Sequence, residues 1–560
     1  MPLPGRAAPL LLELDLNVAL VDPPPRAPLA KAMGRGQPAL RHVLDGVHRA
    51  AKDPRVAGLI VRTGGVQQPL AYAQELRDAL LEFGSSGRPT VAWAETFGEF
   101  GHGTAGYLIA TGCAEIWLQP TGEVGLTGFA VEGTFLKELF DRVGIRAEVS
   151  ARREYKNAPN MATERGFTPA HREAMSRLVE SSLHSVVEEI AEQRGLDAET
   201  VRTLIDRSPL SGAEALEARL VDRLGYRDEA YADLTTRVPG AELRFLNRLG
   251  PRPADKLRAA TNRDKRHVAL VDVVGGIKSG RNGRGVLGVA AGSDSVNAAL
   301  RAATADENVA AVVLRVDSPG GSYIASDAIW RATLGLKSAG KPLVVSMGGV
   351  AASGGYYVAM AADRILAQPG TVTGSIGVFG GKVVIGDLLT RHGIDHDAIT
   401  AGARARLGST RVGFDADQLA ALETWLDRVY ADFTGKVAAA RGLSASAIEE
   451  AARGRVWTGA DAREHGLIDA FGGLQEAAAQ ARALAGLPSD AALRALPTPR
   501  PLDRFARPKS SADPRAAAPL GASAGIAQTL AGWGNWADLA AGLGLPAAGP
   551  LTLGDQALVG

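Results

Sequence analysis

Short apolar runs and amphipathic runs alternate along the chain, most clearly in its second half. VAAVVLRVDS (309–318) is a β-branched run that ends at PGGS, which predicts a buried strand. ASDAIWRATLGLKSAG (325–340) has helical periodicity and ends at glycine, KPLVVSM (341–347) predicts another strand, and SGGYYVAMAADR (353–364) begins a further helix. Strands that alternate with helices at this spacing predict an α/β fold in which helices cover parallel strands.

The pattern occurs twice. VAGLIVR (56–62) resembles VAAVVLR (309–315), and LSGAEALEARLVDRLG (210–225) resembles WTGADAREHGLIDAFG (457–472). The matching segments keep their order and nearly keep their spacing, which is too regular for chance and too long a period for a solenoid. The sequence therefore predicts a duplicated domain.

A polar, proline-containing segment separates the two copies. We predict an N-terminal repeat at residues 1–246, a linker at 247–266 and a C-terminal repeat at 267–490. Residues 491–560 form a Pro- and Ala-rich tail whose composition favours a flexible spacer. GRGVLGVAAG (283–292) is glycine-rich and is predicted to be a loop.

Composition narrows the classes of function. The chain has 560 residues, 46% hydrophobic and 22% charged, which is typical of a globular protein too long for one core. The net charge of +1 gives no reason to expect nucleic acid or an anionic membrane as a partner. One cysteine, Cys113, excludes an intramolecular disulfide and a thiolate metal cluster, and no HExxH, P-loop or other metal-ligand spacing is visible. No cofactor or metal is predicted.

Each copy lacks one residue that the other copy has. When the copies are aligned, Gly103 stands opposite Ser353, so the first copy has no serine there. Likewise Ala405 stands opposite Lys156, so the second copy has no lysine there. This is the expected outcome if one ancestral site had two parts and each copy kept one of them.

A serine and a lysine can together form a hydrolytic site. A serine hydroxyl is a poor nucleophile until a base takes its proton, and a lysine can be that base if burial lowers its pKa from about 10.4 toward neutrality. Ser353 lies at a predicted strand-to-helix turn, and DSPGGS (317–322) is a second turn whose natural oxyanion donor is Gly320. Taken alone, Ser353 also fits a helix N-cap and Lys156 fits an exposed loop charge.

Five segments together resemble one family. They are RVDSPGGS (315–322), SMGGVAASGGYY (346–357), TGSIGV (373–378), VWTGADAREHGLID (456–469) and EYKNA (154–158). They resemble signal peptide peptidase A of the long, duplicated type, a membrane-associated serine protease family with a Ser/Lys dyad. The resemblance extends to about residue 490. It implies tandem ClpP/crotonase-like domains of ββα units and a homotetramer whose sites face an inner cavity.

The resemblance also implies roles for individual residues. Ser353 is the implied nucleophile, Lys156 the general base, and Gly320 an oxyanion donor with the N–H of Gly354 as a second. The hydroxyl of Ser375 is implied to orient the lysine amine, although a local turn explains a serine in TGSIG equally well. The implied function is a serine endopeptidase that degrades apolar peptides, such as cleaved signal peptides, through an acyl-enzyme and without a cofactor.

No membrane anchor is predicted. The opening stretch MPLPGRAAPLLLELDLNVALVD alternates like a strand and is broken by Glu13 and Asp15, unlike a signal peptide or an anchor. The uncharged residues 342–362 are long enough to span a membrane, but their glycines and Pro342 favour a strand, a turn and a helix start. Long members of the resembled family typically begin with a membrane anchor, whereas this chain opens directly on a predicted strand. The expected location is therefore the cytoplasm or the membrane periphery.

Three alternatives stay open from the sequence. A Ser-His-Asp triad would use His392 or His396 in the second copy. A crotonase-like acyl-CoA enzyme would not need Ser353 and would need a carboxylate pair near the site. A non-catalytic scaffold of the same fold would not require Ser353 and Lys156 to meet. The survival of both residue types favours the peptidase.

Overall fold

Helices and strands alternate through both halves of the protein. The structure, a computed structural model, describes residues 8–23, 38–65, 67–252, 264–285, 288–496, 551–552 and 557–559. The described helices are α1 Leu40–Lys52, α2 Leu70–Gly84, α3 Thr104–Ala110, α4 Lys137–Val143, α5 Asn160–Thr163, α6 Pro169–Arg194, α7 Ala198–Asp206, α8 Gly212–Glu217, α9 Arg227–Arg237, α10 Ser293–Ala305, α11 Tyr323–Ser338, α12 Gly354–Ala359, α13 Gly386–Arg391, α14 Ala416–Arg441, α15 Ala445–Ala451, α16 Gly459–Glu464 and α17 Leu474–Leu484.

The described strands follow the same alternation. They are β1 Leu10–Asp15, β2 Val56–Arg62, β3 Thr90–Ala94, β4 Glu115–Leu118, β5 Glu123–Val124, β6 Ala130–Glu132, β7 Arg146–Ala151, β8 Leu210–Ser211, β9 Arg223–Leu224, β10 Glu242–Phe245, β11 His267–Val274, β12 Gly276–Lys278, β13 Gly283–Gly285, β14 Gly288–Gly292, β15 Val309–Ser318, β16 Gly320–Gly321, β17 Leu343–Ala352, β18 Arg364–Ala367, β19 Val372–Gly374, β20 Phe379–Val384, β21 Val456–Thr458, β22 Ala470–Phe471, β23 Leu493–Leu496, β24 Leu551–Thr552 and β25 Ala557–Val559.

Each half has its own mainly parallel sheet. In the first half the strand order is β10-β1-β2-β3-β4-β9, and every neighbouring pair is parallel. In the second half the order is β21-β19-β17-β15-β11-β23; β18 also pairs with β17, and β22 pairs with β18. The central strands are almost continuously apolar because helices cover both faces of each sheet. The predicted α/β class and the duplication are confirmed.

Buried contacts repeat between the halves. In α3 the hydroxyl of Tyr107 donates to the backbone oxygen of Leu220 at 2.7 Å. In α12 the hydroxyl of Tyr356 donates to the backbone oxygen of Leu467 at 2.9 Å. In each copy, therefore, a fully buried tyrosine donates to the loop that follows a short helix, α8 in the first half and α16 in the second.

The sheet of the second half reaches beyond the predicted repeat boundary. Strand β23 pairs in parallel with β11, which places residues 493–496 inside the sheet although the repeat is predicted to end at residue 490. Of the predicted linker, residues 253–263 lie outside the described residues, as does most of the predicted tail. The division into domains otherwise stays a prediction.

One strand pair crosses between the halves. Strand β7 of the first half pairs antiparallel with β20 of the second half over six residues, from Phe379 opposite Ala151 to Val384 opposite Arg146. The chain leaves β7 and enters the loop that carries Lys156. The pairing therefore delivers a loop of the first half to the second half.

The second half also contains a five-stranded sheet in the order β13-β14-β12-β16-β24, in which β24 comes from the predicted tail. The segment 283–292, predicted as a loop, contributes two antiparallel strands to it, so that prediction is wrong. Strand β12 pairs with β16 through Ile277 and Gly321 on one side. On the other edge of β16, β24 pairs antiparallel with it, with Gly320 opposite Thr552.

The uncharged residues 342–362 form strand β17, a turn at Ser353 and helix α12, as the sequence predicts. Within the described ranges, no helix has both the length and the apolar character needed to cross a membrane.

Candidate active site

Ser353 occupies a sharp turn between β17 and α12. Its backbone has φ 56° and ψ −113°, a conformation that costs free energy for any residue with a Cβ. The turn is held by its neighbours, because the Ser353 N–H donates to the backbone oxygen of Gly374 and the Ser353 carbonyl accepts from the N–H of Tyr357. The Ser353 side chain makes no capping hydrogen bond to α12, so a helix cap does not explain this serine.

Lys156 reaches Ser353 from the other half of the chain. Its Nζ lies 2.9 Å from Oγ of Ser353, 2.9 Å from Oγ of Ser375 and 3.1 Å from the backbone oxygen of Ser375. The lysine side chain is only 3% exposed, so it is not the solvated loop charge that its local sequence suggests. The two residues that the copies were predicted to contribute separately, 197 positions apart, are in hydrogen-bonding contact.

Burial decides the protonation state of the amine. Desolvation alone lowers the pKa of Lys156 from 10.5 to about 7. A neutral amine has two N–H donors and one lone pair. The two contacts with Ser375 can take both donors, which leaves the lone pair for the hydroxyl hydrogen of Ser353. Lys156 is therefore arranged to accept a proton near neutral pH.

Two glycines that the sequence analysis does not single out make room for the lysine. A Cβ on Gly454, which has φ 82°, would lie 2.7 Å from Cα and from Cβ of Lys156. A Cβ on Gly377 would lie 2.6 Å from Cα of Gly454 and 3.3 Å from Cδ of Lys156. Gly377 is part of the quoted TGSIGV segment, whereas Gly454 lies just before the VWTGADAREHGLID segment.

Ser375 is also fixed by its backbone. It has φ 51°, and its N–H donates to the backbone oxygen of Arg455 at 2.7 Å. Both its hydroxyl and its carbonyl then face the Lys156 amine. This geometry fits the orienting role that the resemblance implies.

The glycines expected to hold an oxyanion lie together. Gly320 and Gly321 have φ 106° and 151°, conformations that favour glycine, and they form β16. A Cβ on Gly354 would lie 3.1 Å from Cα of Gly320, so the turn after the nucleophile packs directly on this strand. The N–H of Gly320 donates to Oγ of Ser318 at 3.2 Å.

A cavity of about 520 Å³ adjoins the lysine on its first-half side. Its lining includes Val149 and Ala151 of β7, Pro159, and Thr168 at the start of α6. Both apolar and polar groups line it. The candidate histidines His392 and His396 are exposed, whereas Ser353 is fully buried and its hydroxyl contacts Lys156.

Comparison with known proteins identifies the family. The chain matches the model of Peptidase family S49 at residues 82–239 and 335–488, one region in each half. Protease 4 of Salmonella typhi is 30% identical over 499 residues, which are 85% of this chain and 78% of that protein. The chain belongs to Peptidase family S49.

Other S49-like relatives agree with this assignment. The chloroplastic serine protease SPPA of Arabidopsis thaliana is 30% identical over 446 residues, covering 79% of this chain and 65% of that protein. Protease 4 of Haemophilus influenzae is 28% identical over 468 residues, covering 81% and 74%. The resemblance to signal peptide peptidase A is confirmed, and the protein is a serine peptidase of family S49. This outcome favours the peptidase over the acyl-CoA enzyme and the scaffold.

A solved structure also matches part of the chain. A mutant of ClpP1 from Listeria monocytogenes covers 40% of this chain and 98% of its own, with 16% identity and a TM-score of 0.25. A score of that size carries no functional comparison.

Proposed function

We propose that Ser353 and Lys156 form the catalytic dyad of an endopeptidase that acts on apolar peptides, such as cleaved signal peptides. The observation that carries the dyad is the 2.9 Å contact between the buried Lys156 amine and the Ser353 hydroxyl. The substrate class comes from the resemblance to signal peptide peptidase A. The cavity beside Lys156 has a mixed lining and does not by itself select a side chain.

The reaction runs in two steps. Ser353 Oγ attacks the scissile carbonyl carbon while its proton passes to Nζ of Lys156. Backbone N–H groups of Gly320 and Gly354 hold the oxyanion, and the lysine then gives its proton to the leaving amine as the peptide C–N bond breaks. Water attacks the resulting ester with Lys156 as base again, which releases the acid and restores the serine. Ser375 keeps the amine aimed at Ser353 throughout.

The substrate is proposed to bind as an extended strand. The chain's own segment β24 pairs antiparallel with Gly320 and Gly321, so this edge of β16 accepts an extended backbone. A peptide in the same position would make main-chain hydrogen bonds next to the nucleophile. Main-chain pairing also explains how a peptidase can act on sequences that share only an apolar character.

The test is covalent labelling during turnover. Purified full-length protein is incubated with an apolar fluorogenic peptide, with and without a serine-directed phosphonate, and the labelled residue is located by mass spectrometry. We expect hydrolysis that stops in proportion to labelling of Ser353. Hydrolysis with the label on another serine, or no hydrolysis of any apolar peptide by folded protein, would overturn the proposal.

The dyad predicts how activity depends on pH. Only the neutral amine can take the serine proton, and the pKa of Lys156 is lowered to about 7. We therefore expect kcat/KM to rise with pH through about 7 and to level off above pH 8. Below pH 7 it should fall about tenfold for each unit. The measurement is kcat/KM from pH 5 to 10 in buffers of constant ionic strength. A profile that falls as pH rises through 7 would contradict a neutral lysine base.

We also propose that copies of the chain assemble head to tail, as a homotetramer by resemblance. The alignment of residues 143–158 with 392–407 sets β7 opposite residues 395–400. These residues are exposed, and Ile399 is fully so. In the first copy β6 comes before β7. In the second copy β20 comes before residues 395–400, so β20 is the counterpart of β6. Pairing of β6 with residues 395–400 of the next copy would repeat the β7·β20 contact.

Such a contact uses two different surfaces and can therefore close into a ring. In this structure β25 pairs with β6. A neighbouring copy that pairs with β6 would therefore have to displace β25. Mass photometry of the wild type should show an oligomer, and Ile399→Asp should shift it toward smaller species. An exclusively monomeric wild type would contradict the assembly. The cytoplasmic or membrane-peripheral location stays a prediction from the sequence.

A further inference from the structure

The strand that carries Ser353 is interrupted just before the nucleophile. In the β15·β17 ladder, Val316 pairs with Met347 but Ser318 pairs with Ala351. Three residues of β17, 348–350, therefore stand opposite the single residue Asp317. Such a bulge bends a strand and changes the direction of the residues that follow it.

The Asp317 side chain fills this bulge. Its Oδ2 accepts from the N–H of Gly349 at 3.3 Å, and its Oδ1 accepts from the N–H of Val350 at 3.2 Å. A Cβ on Gly348 would lie 2.6 Å from Oδ2, so only glycine allows the carboxylate to come so close. The carboxylate thus supplies the acceptors for backbone groups that the bulge turns away from the regular ladder.

The first half holds the same carboxylate. Tyr72 of α2, which is 6% exposed, donates its hydroxyl hydrogen to Oδ2 of Asp317 at 2.6 Å. Burial, with the neighbouring carboxylate, raises the pKa of Tyr72, so the phenol stays a neutral donor across the working pH range. Three donors therefore converge on one carboxylate, and a carboxylate accepts on both oxygens.

Asp317 lies close in sequence to the proposed oxyanion strand, and the bulge that it fills lies close to the nucleophile. It lies three residues before Gly320, and the bulge that it fills lies three residues before Ser353. We propose that Asp317, held by Tyr72 of the first half, is a positioning residue that sets the nucleophile against the oxyanion strand. The proposal rests on the proposed function of Ser353. It gives the first half a second contribution to catalysis besides Lys156.

A neighbouring ion pair makes the proposal testable without separating the halves. Arg315, fully buried on β15, donates to Oε1 of Glu75 in α2 at 2.7 Å and to Oγ of Ser346 in β17 at 2.8 Å. These contacts of Arg315 join α2, β15 and β17, and they do not use the Tyr72 hydroxyl. Removal of the Tyr72 hydroxyl therefore loosens Asp317 while α2 stays attached to the second half.

The test compares Asp317→Asn and Tyr72→Phe in the full-length protein. The NH2 group of asparagine is a hydrogen-bond donor, and it would face an N–H or O–H group that now donates to the carboxylate. Two donors cannot pair, so the bulge must shift. We expect kcat to fall about 10- to 100-fold in Asp317→Asn and about three- to tenfold in Tyr72→Phe, with KM within about twofold of wild type. The rate of phosphonate labelling at Ser353 should fall in parallel. The midpoint of the pH profile should not move, because Lys156 keeps its contacts.

Matched controls separate positioning from general stability. Tyr107→Phe also removes one buried tyrosine hydroxyl, and Asp222→Asn alters a carboxylate that accepts from the N–H of Ile116, both inside the first half. Both controls should keep kcat even if they lower the melting temperature. If Asp317→Asn fails to fold, Tyr72→Phe decides the question.

Each result has one meaning. Unchanged kcat in folded Asp317→Asn or, failing that, in Tyr72→Phe overturns the positioning role, as does a loss seen only in KM. An equal loss of kcat in Tyr107→Phe also overturns it. If instead the wild type is never labelled at Ser353, the proposed function itself has failed, which the wild-type sample reveals before any variant is compared.

Discussion

Lys156→Ala is expected to lower kcat/KM for peptide hydrolysis by about a hundredfold to ten-thousandfold. The variant keeps Ser353 but leaves its hydroxyl without the group that takes its proton, and a positioned general base contributes about 10²- to 10⁴-fold. Lys156→Arg should be equally inactive, because a guanidinium stays protonated and cannot act as a base. The measurement is initial rates with an apolar fluorogenic peptide at pH 8, where the wild-type amine is neutral.

Two further variants control for folding. Lys156→Met keeps most of the length and an apolar stem but removes the amine, and it should melt at a higher temperature than wild type at pH 8. The reason is that the pKa of the folded lysine is lowered from 10.5 to about 7, so burial of the lysine costs stability in full below pH 7. This cost shrinks as pH rises and is gone above about 10.5, so most of it is still present at pH 8. Lys137→Ala removes a half-buried lysine of α4 that pairs with Asp141, and it should keep full activity. A folded Lys156→Ala with the wild-type rate would disprove the dyad and would require another base for Ser353.

The duplication made the site predictable across a long sequence separation. Neither Ser353 nor Lys156 is distinctive in its local sequence, but each stands opposite a residue without its chemistry in the other copy. The structure then brings them to 2.9 Å. The alternation of strands and helices was equally readable, because strands buried on both faces are nearly continuous apolar runs.

Other features depend on contacts that no local pattern reveals. Gly454 matters because its Cα passes against the backbone of Lys156, and Asp317 matters because β17 bulges opposite it. The strands at 283–292 have almost no strand-forming residues, and they form because β12 offers a partner edge. In each case a neighbour distant in the sequence decides the structure, so the residue types alone do not predict it.

Ser353→Ala is expected to lower kcat/KM by about 10⁵- to 10⁶-fold, as expected for removal of a nucleophile that no neighbouring group replaces. Alanine keeps a Cβ, so the strained turn at φ 56° is no harder to form than with serine and the variant should fold. Phosphonate labelling should disappear together with hydrolysis. The rate of the variant is measured at high enzyme concentration. Comparison with wild type diluted to the same rate tests whether residual activity comes from contaminating wild-type enzyme.

The double variant Ser353→Ala/Lys156→Ala tests whether the two residues act as a unit. If the only catalytic task of Lys156 is to move the Ser353 proton, the lysine has nothing left to do once the serine is gone. The double variant should therefore be no slower than Ser353→Ala alone, as is found for groups that work together in one step. A further drop close to the full effect of Lys156→Ala would mean that the lysine acts independently of the serine. The 2.9 Å contact would then be a structural hydrogen bond, and the base for Ser353 would have to be another group.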